Sequence, residues 1–204
     1  MLKLTGYSSH KIQEGALTAL FASAARVAVL RAFLLDPVRA YYQRQLEGIT
    51  GLPIRAIQRE VERLTSVGLL YRWSEGNRAY YQVDVEFGLF GELRGMILKI
   101  SSPLEVLRAA LAVDPAVQLA FLGEGEKRVL VVTPGDVLPT LSATESVRVE
   151  TMTRGAFAAA LQTNDEQLAV FLTRGVDLLG RRDDIIWHRI AAAGYTVKKG
   201  SGVP

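Results

Sequence analysis

Apolar residues recur at helical spacing over residues 16–35, where Leu17, Leu20, Phe21, Ala24, Val27 and Ala28 share one face. The pattern predicts one helix ending at Asp36-Pro37, because the residue before a proline is pushed out of the helical region. Tyr41 and Tyr42 read as a short extended piece, and Gln43–Ile49 as a short second helix. Gly48 weakens that helix by about 1 kcal/mol relative to alanine. Thr50-Gly51 is a turn. Pro53 can occupy the first turn of a third helix, where its missing N–H costs nothing, and Gly68 fits that helix's C-terminal cap after Val67. Two aromatic-rich runs, LLYRW and RAYYQV, flank Glu75-Gly76-Asn77 and predict a hairpin. Tyr41, Tyr42, Tyr80 and Tyr81 are read as strand residues with one face in the core, in preference to a surface for stacking single-stranded bases.

Beyond the hairpin, Phe87, Phe90, Leu93, Ile97 and Ile100 form an apolar stripe that predicts a helix over residues 86–100, acting as a connector or packing on a dimer mate. Its glycines, Gly88, Gly91 and Gly95, permit close helix approach. Farther on, a helix at 103–112, strands at VQLAFLG and KRVLVVTPGD, an extended piece from Val147 to Thr151, helices at 154–162 and 166–173 and a short VDLLG segment alternate as in a small α/β domain. IIWHRI reads as a tail helix carrying His188, with Asp183-Asp184 as the charge pair at its start. Lys198–Pro204 reads as a loose tail. The expected class is α+β, with domains at 1–85 and 103–204 and a connecting helix at 86–102.

Charge sharpens this division. The formal net charge of the 204 residues is +3, but residues 1–100 carry 13 basic against 9 acidic residues, and the remainder 11 against 12. Between 38 and 82 all seven basic residues are arginine: Arg39, Arg44, Arg55, Arg59, Arg63, Arg72 and Arg78. In the third helix Ile54, Ile57, Val61 and Leu64 fall within an arc of roughly 80°, which makes that arc the core face. Arg59 then points away from the core, flanked by Arg55 and Arg63, with Gln58 on the shoulder. This stripe is about 12 Å long and suits a major groove, where arginine pairs with guanine and glutamine with adenine. The competing account is a surface helix whose arginines pair with Glu60 and Glu62 at i,i+3 or i,i+4.

Composition removes other chemistry. The chain has no cysteine and two histidines, His10 and His188, so thiol nucleophiles, disulfides, cysteine zinc sites and multi-histidine metal sites are outside its reach. No apolar run approaches the ~20 residues of a membrane span. The start lacks the basic-then-apolar order of a signal peptide, so a cytoplasmic location is expected.

Residues 20–83 resemble the winged helix-turn-helix of bacterial and archaeal repressors. The resemblance runs through GLPIRAIQREVERLTSVGLLYRWSEGNRAYYQVD, and the junction Leu64-Thr-Ser-Val-Gly68-Leu-Leu is its most specific part. It implies that Gln43–Ile49 is the supporting helix, Pro53–Val67 the recognition helix and Tyr71–Val83 the wing. Gln43 and Arg44 would then sit near phosphates, Arg55, Gln58, Arg59 and Arg63 would face the groove, and Arg72, Asn77 and Arg78 would bring the wing to the backbone or minor groove.

The second half resembles a minimal nucleotidyltransferase domain of the DNA polymerase β type, through ELRGMILK, PLEVLRAAL, VQLAFLG and VLVVTPGD, and later ETMTRGAFAAALQTNDEQLAVFLTRGVDLLG. An active domain of that family carries a Gly-Ser turn, a helix and an Asp-x-Asp strand whose carboxylates hold Mg²⁺. Here Leu122 is followed by Gly123-Glu-Gly-Glu-Lys-Arg128 and then directly by Val129. Glu124 and Glu126 are better read as part of a hairpin turn than as substitute metal ligands. Asp136 has no paired carboxylate, and Gly123-x-Gly125 lacks the following helix of a phosphate loop. The expectation is a sequence-specific double-stranded DNA-binding regulator, a homodimer and repressor. Its second domain would be catalytically inactive, without cofactor or metal, serving dimerisation or the sensing of a small-molecule or nucleotide effector. The rival readings are an active nucleotidyltransferase acting on protein or RNA, and an antitoxin-like protein-interaction module.

Overall fold

The computed structural model describes residues 15–125, 128–137, 139–140, 147–182, 185–200 and 202–204. Glu126, Asp183 and Asp184 lie outside these, as does His10. The protein is of the α+β class, with two small sheets. It divides into two compact units, one ending at Ala109 and one comprising Ala110–Val203. No single described helix is long and apolar enough to cross a membrane.

In the first unit, the single helix expected over 16–35 is two: α1 (Gly15–Phe21) and α2 (Ala24–Leu35), bent by 106°. Ala22 takes a left-handed φ of 52°, and Ser23 caps α2, its Oγ accepting from the Arg26 backbone N–H at 3.1 Å. The apolar period continues through the break, but a serine that can cap offers the backbone a competing local bond. Arg26 completes the corner by donating from Nη1 to the Phe21 carbonyl at 3.0 Å, one of the orphan acceptors at the end of α1. Val27, Val29, Leu30 and Ala32–Leu35 of α2 are all buried, which makes α2 the central helix of this unit.

β1 (Tyr41–Tyr42) leads into α3 (Gln43–Thr50), then α4 (Ile54–Ser66) and the hairpin of β2 (Leu70–Glu75) and β3 (Arg78–Val83). Gly51, at φ 68°, closes α3 with its N–H on the Glu47 carbonyl. The end of α4 shows why its Leu-x-x-x-Gly-Leu-Leu junction is informative. Gly68 is left-handed (φ 82°), its N–H bonds the Thr65 carbonyl, and the Leu69 N–H bonds the Leu64 carbonyl. This is the paired-bond glycine cap, with Leu64, Leu69 and Leu70 driven into the core around it. β3 lies between β1 and β2, antiparallel to both. Tyr41 and Tyr81, opposite each other, are buried; Tyr42, Tyr80 and Trp73 occupy the other face. The tyrosines are thus strand residues alternating between core and surface, as expected.

The helix expected over 86–100 begins at Phe90: α5 is Phe90–Ile100. Asp84 takes the preceding residues into a turn, its Oδ1 accepting from the Glu86 N–H at 2.9 Å. Ile97 and Ile100 are buried in the same core as α2 and α4, and Arg94 Nε donates to the Leu34 carbonyl at 3.1 Å. α5 therefore belongs with the first unit rather than standing apart as a connector. α6 (Pro103–Val113) follows; Ser102 and Glu105 form its capping box, and Glu105 also pairs with Arg31 of α2.

The second unit is a five-stranded mixed sheet in the order β6-β5-β4-β7-β8, with β4 (Leu119–Leu122), β5 (Arg128–Thr133), β6 (Arg148–Thr153), β7 (Val176–Asp177) and β8 (Lys198–Lys199). β4 runs antiparallel to β5 and β7, β5 parallel to β6, and β7 parallel to β8. One face is covered by α7 (Arg154–Gln162), α8 (Glu166–Thr173) and α9 (Ile186–Ala192), with Phe121 stacked on Phe157 at 5.9 Å and meeting Trp187 at 5.7 Å. The loose tail expected from Lys198 is instead an edge strand: the Gly200 N–H bonds the Asp177 carbonyl at 2.8 Å, and Val203 is buried. Two paired residues are too few to show strand periodicity. At Gly175 a Cβ would lie 2.2 Å from the Phe171 carbonyl oxygen, so only glycine lets β7 come in beside α8.

Candidate nucleic-acid interface

The third helix places its residues largely as its periodicity implies. Ile57, Val61 and Leu64 are buried, and Arg55, Arg59 and Arg63 are exposed on the opposite side. Two positions depart from that reading. Ile54, assigned to the core face, is half-buried and lines a surface groove. Glu60, weighed as a surface partner for the arginines, is 4% exposed. Its carboxylate accepts from Arg26 Nε at 3.0 Å, from Arg63 Nη1 at 3.3 Å and from the Ser23 hydroxyl at 3.4 Å. The i,i+3 pairing of an ordinary surface helix is thus realised at Arg63 alone. Among the described residues Arg55 and Arg59 form no ion pair.

The groove, of about 480 Å³, lies between the start of α3, the start of α4 and the hairpin turn, and it gathers Gln43, Arg44, Asn77 and Arg78 with Tyr42, Ile54 and Ala79. Asn77 and Arg78 reach it because Glu75 pairs with Arg78, leaving a tight two-residue turn in which Gly76 is left-handed (φ 55°). Arg78 is held with its guanidinium carbon 4.9 Å from the centre of the Tyr42 ring. That ring meets Tyr80 edge-on at 5.8 Å, and Tyr80 stacks on Trp73 at 5.9 Å, so an aromatic row crosses all three strands behind Arg78. Arg72 is exposed on β2, opposite Tyr81, and is not part of the groove lining.

Gln43 and Gln58, expected at a phosphate and in the groove respectively, are bonded to each other. Gln58 Nε2 donates to Gln43 Oε1 at 3.2 Å, and Gln43 Nε2 donates to the Tyr81 hydroxyl at 3.2 Å. The backbone at the start of α3 is fixed as well, since the Tyr42 N–H donates to Gln45 Oε1 at 3.1 Å. Reading along the chain missed Tyr42, Ile54, Glu60 and Tyr81 as contributors here. Only Tyr42 carried a local signal, by preceding a helix start.

In the second unit, β4 and β5 are joined by a hairpin with Leu122 opposite Val129. Glu124 is exposed and bonds Arg174 at 3.0 Å. Asp136 and His188 are exposed. Among the described residues no three His, Asp or Glu side chains come together as a metal-holding group.

No family model matches the sequence, and neither a curated protein nor a solved structure does.

Proposed function

We propose that the first unit is a winged helix-turn-helix that binds double-stranded DNA sequence-specifically, and that the protein is a homodimeric transcriptional regulator, a repressor. The observation that carries this reading is the exposed stripe of α4: Arg55 and Arg59 without ion pairs among the described residues, on a helix whose first residue borders a groove holding Arg44, Asn77 and Arg78. A helix of that width fits a major groove, while the hairpin arginine beside it reaches a flanking phosphate or the minor groove. Dimerisation follows from the small number of base pairs one such helix can read. We assign the second unit a catalytically inactive, nucleotidyltransferase-like role in dimerisation or effector sensing. What supports this is the short connection from Leu122 to Val129, since the resemblance would require a Gly-Ser turn and a helix there in an active domain.

The direct test is a gel-shift of the full chain against its own upstream region, with random duplex as competitor at moderate salt. A shifted band that survives the competitor is the expected result. No retained fragment would refute the reading.

A further inference from the structure

We propose that Gln58 reads an adenine in the major groove and that Gln43 and Tyr81 are positioning residues that set its amide through a hydrogen-bond relay. The inference rests on the DNA-binding reading above and goes beyond it by naming a base and the residues that select it.

The relay starts in the core. Tyr81, on the central strand of the sheet, is 3% exposed, so its ring is locked by packing and its hydroxyl has a fixed place. That hydroxyl accepts from Gln43 Nε2, and Gln43 Oε1 accepts in turn from Gln58 Nε2. A glutamine amide has two N–H donors and one carbonyl acceptor. Gln58 spends one N–H on Gln43, and among the described residues nothing else engages its other N–H or its carbonyl. These are the two groups that pair with adenine, the N–H on N7 and the carbonyl on the N6 amino group. Gln58 lies one helical turn beyond Ile54, which lines the groove, and is half-buried on the shoulder between the core face and the arginine stripe of α4. Gln43 is engaged at both its amino group and its carbonyl, which fixes the orientation of its amide. Without the relay the Gln58 amide is free to turn over, and an inverted amide presents donor and acceptor in the wrong order for adenine.

The experiment uses full-length protein and duplexes selected by the wild type from a random library, together with every single-base-pair variant of the selected site and a random duplex, at two salt concentrations. The wild type should prefer A·T at one position of each half-site by about tenfold, and Gln58→Ala should abolish that preference. Gln43→Ala and Tyr81→Phe should each cut it by at least about threefold, and in Tyr81→Phe, a change at a buried position, random-duplex affinity and the salt slope should stay at wild-type values, a pattern that loss of stability alone does not produce. A base profile unchanged in both variants would overturn the relay. So would a Gln43→Ala variant that loses affinity equally on every duplex with a shallower salt slope, which would make Gln43 a phosphate contact. A wild type that selects no duplex overturns the DNA-binding reading as well, and that result is seen before any variant is compared.

Discussion

Arg26 Nε donates to Glu60 Oε2 at 3.0 Å, bolting α4 to the corner between α1 and α2. The same guanidinium caps the last carbonyl of α1, and the same carboxylate reaches Arg63 on the exposed stripe. One ion pair thus joins the bend, the central helix and the candidate reading helix.

Glu60→Ala should lower stability by about 2 kcal/mol, because it strips a part-buried guanidinium and a serine hydroxyl of their partner. Arg26 remains partly exposed, which keeps the cost below that of a fully buried pair. Thermal denaturation followed by circular dichroism would measure it; a variant melting with the wild type would show the contact to be idle.

Arg59→Ala should weaken binding to the selected duplex by about 1–3 kcal/mol and relax preference at one base pair. Competition titrations with specific and random DNA separate the two kinds of contact. Equal losses on both would make Arg59 a phosphate ligand.

Arg44→Ala and Arg78→Ala should each reduce the slope of log affinity against log salt by about 1, with base preference retained. Anisotropy titrations across a salt series give that slope. Tyr42→Leu should act on the same slope more weakly, by freeing Arg78 from its ring.

Glycine replacements should separate conformational strain from collision. Gly68→Ala meets nothing nearby but must hold a left-handed φ of 82°, which costs about 1–2 kcal/mol. Gly175→Ala puts a Cβ 2.2 Å from one carbonyl oxygen and 2.6 Å from another, so the second unit should fail to fold or melt far earlier. Urea denaturation of both variants provides the comparison.

Acid should unfasten the start of α6. Burial pushes the Glu105 carboxyl up, but the Ser102 amide, the Arg31 guanidinium and the Ser102 hydroxyl together outweigh it and hold the group below its ordinary value of 4.5. A carboxyl depressed in the folded state binds its proton more readily in the unfolded chain. Its contribution is therefore complete above about pH 4.5 and disappears as pH falls through the lower folded value. Melts between pH 3 and 7 should show a shallower acid limb in Glu105→Gln than in the wild type.

Much of this was legible in the chain where cause and effect are close in sequence. The face of α4 followed from Ile57, Val61 and Leu64, and its end from Gly68, because helix period and a left-handed cap are local properties. The bend at Ala22 escaped because the apolar spacing runs on through it and only the Ser23 cap interrupts it. Glu60 escaped because a carboxylate normally marks the solvent side of a helix, and the residue that draws it inward, Arg26, lies 34 positions away. Likewise Gln43 meets Tyr81 across 38 positions, and no local pattern announces such a bond. β8 is a two-residue strand formed by pairing with β7, which lies 22 positions earlier in the chain.

The alternation of Tyr80 and Tyr81 has a mechanical consequence. Both belong to a hairpin whose register is set by the Gly76-Asn77 turn. A strand slipped by one residue exchanges its two faces. Inserting a single residue into that turn would withdraw the Tyr81 hydroxyl from Gln43, drop Tyr80 into the core and break the row behind Arg78 at one stroke. The length of this turn acts as a gear tooth: the interior of the unit and its arginine-bearing surface can mesh in only one position.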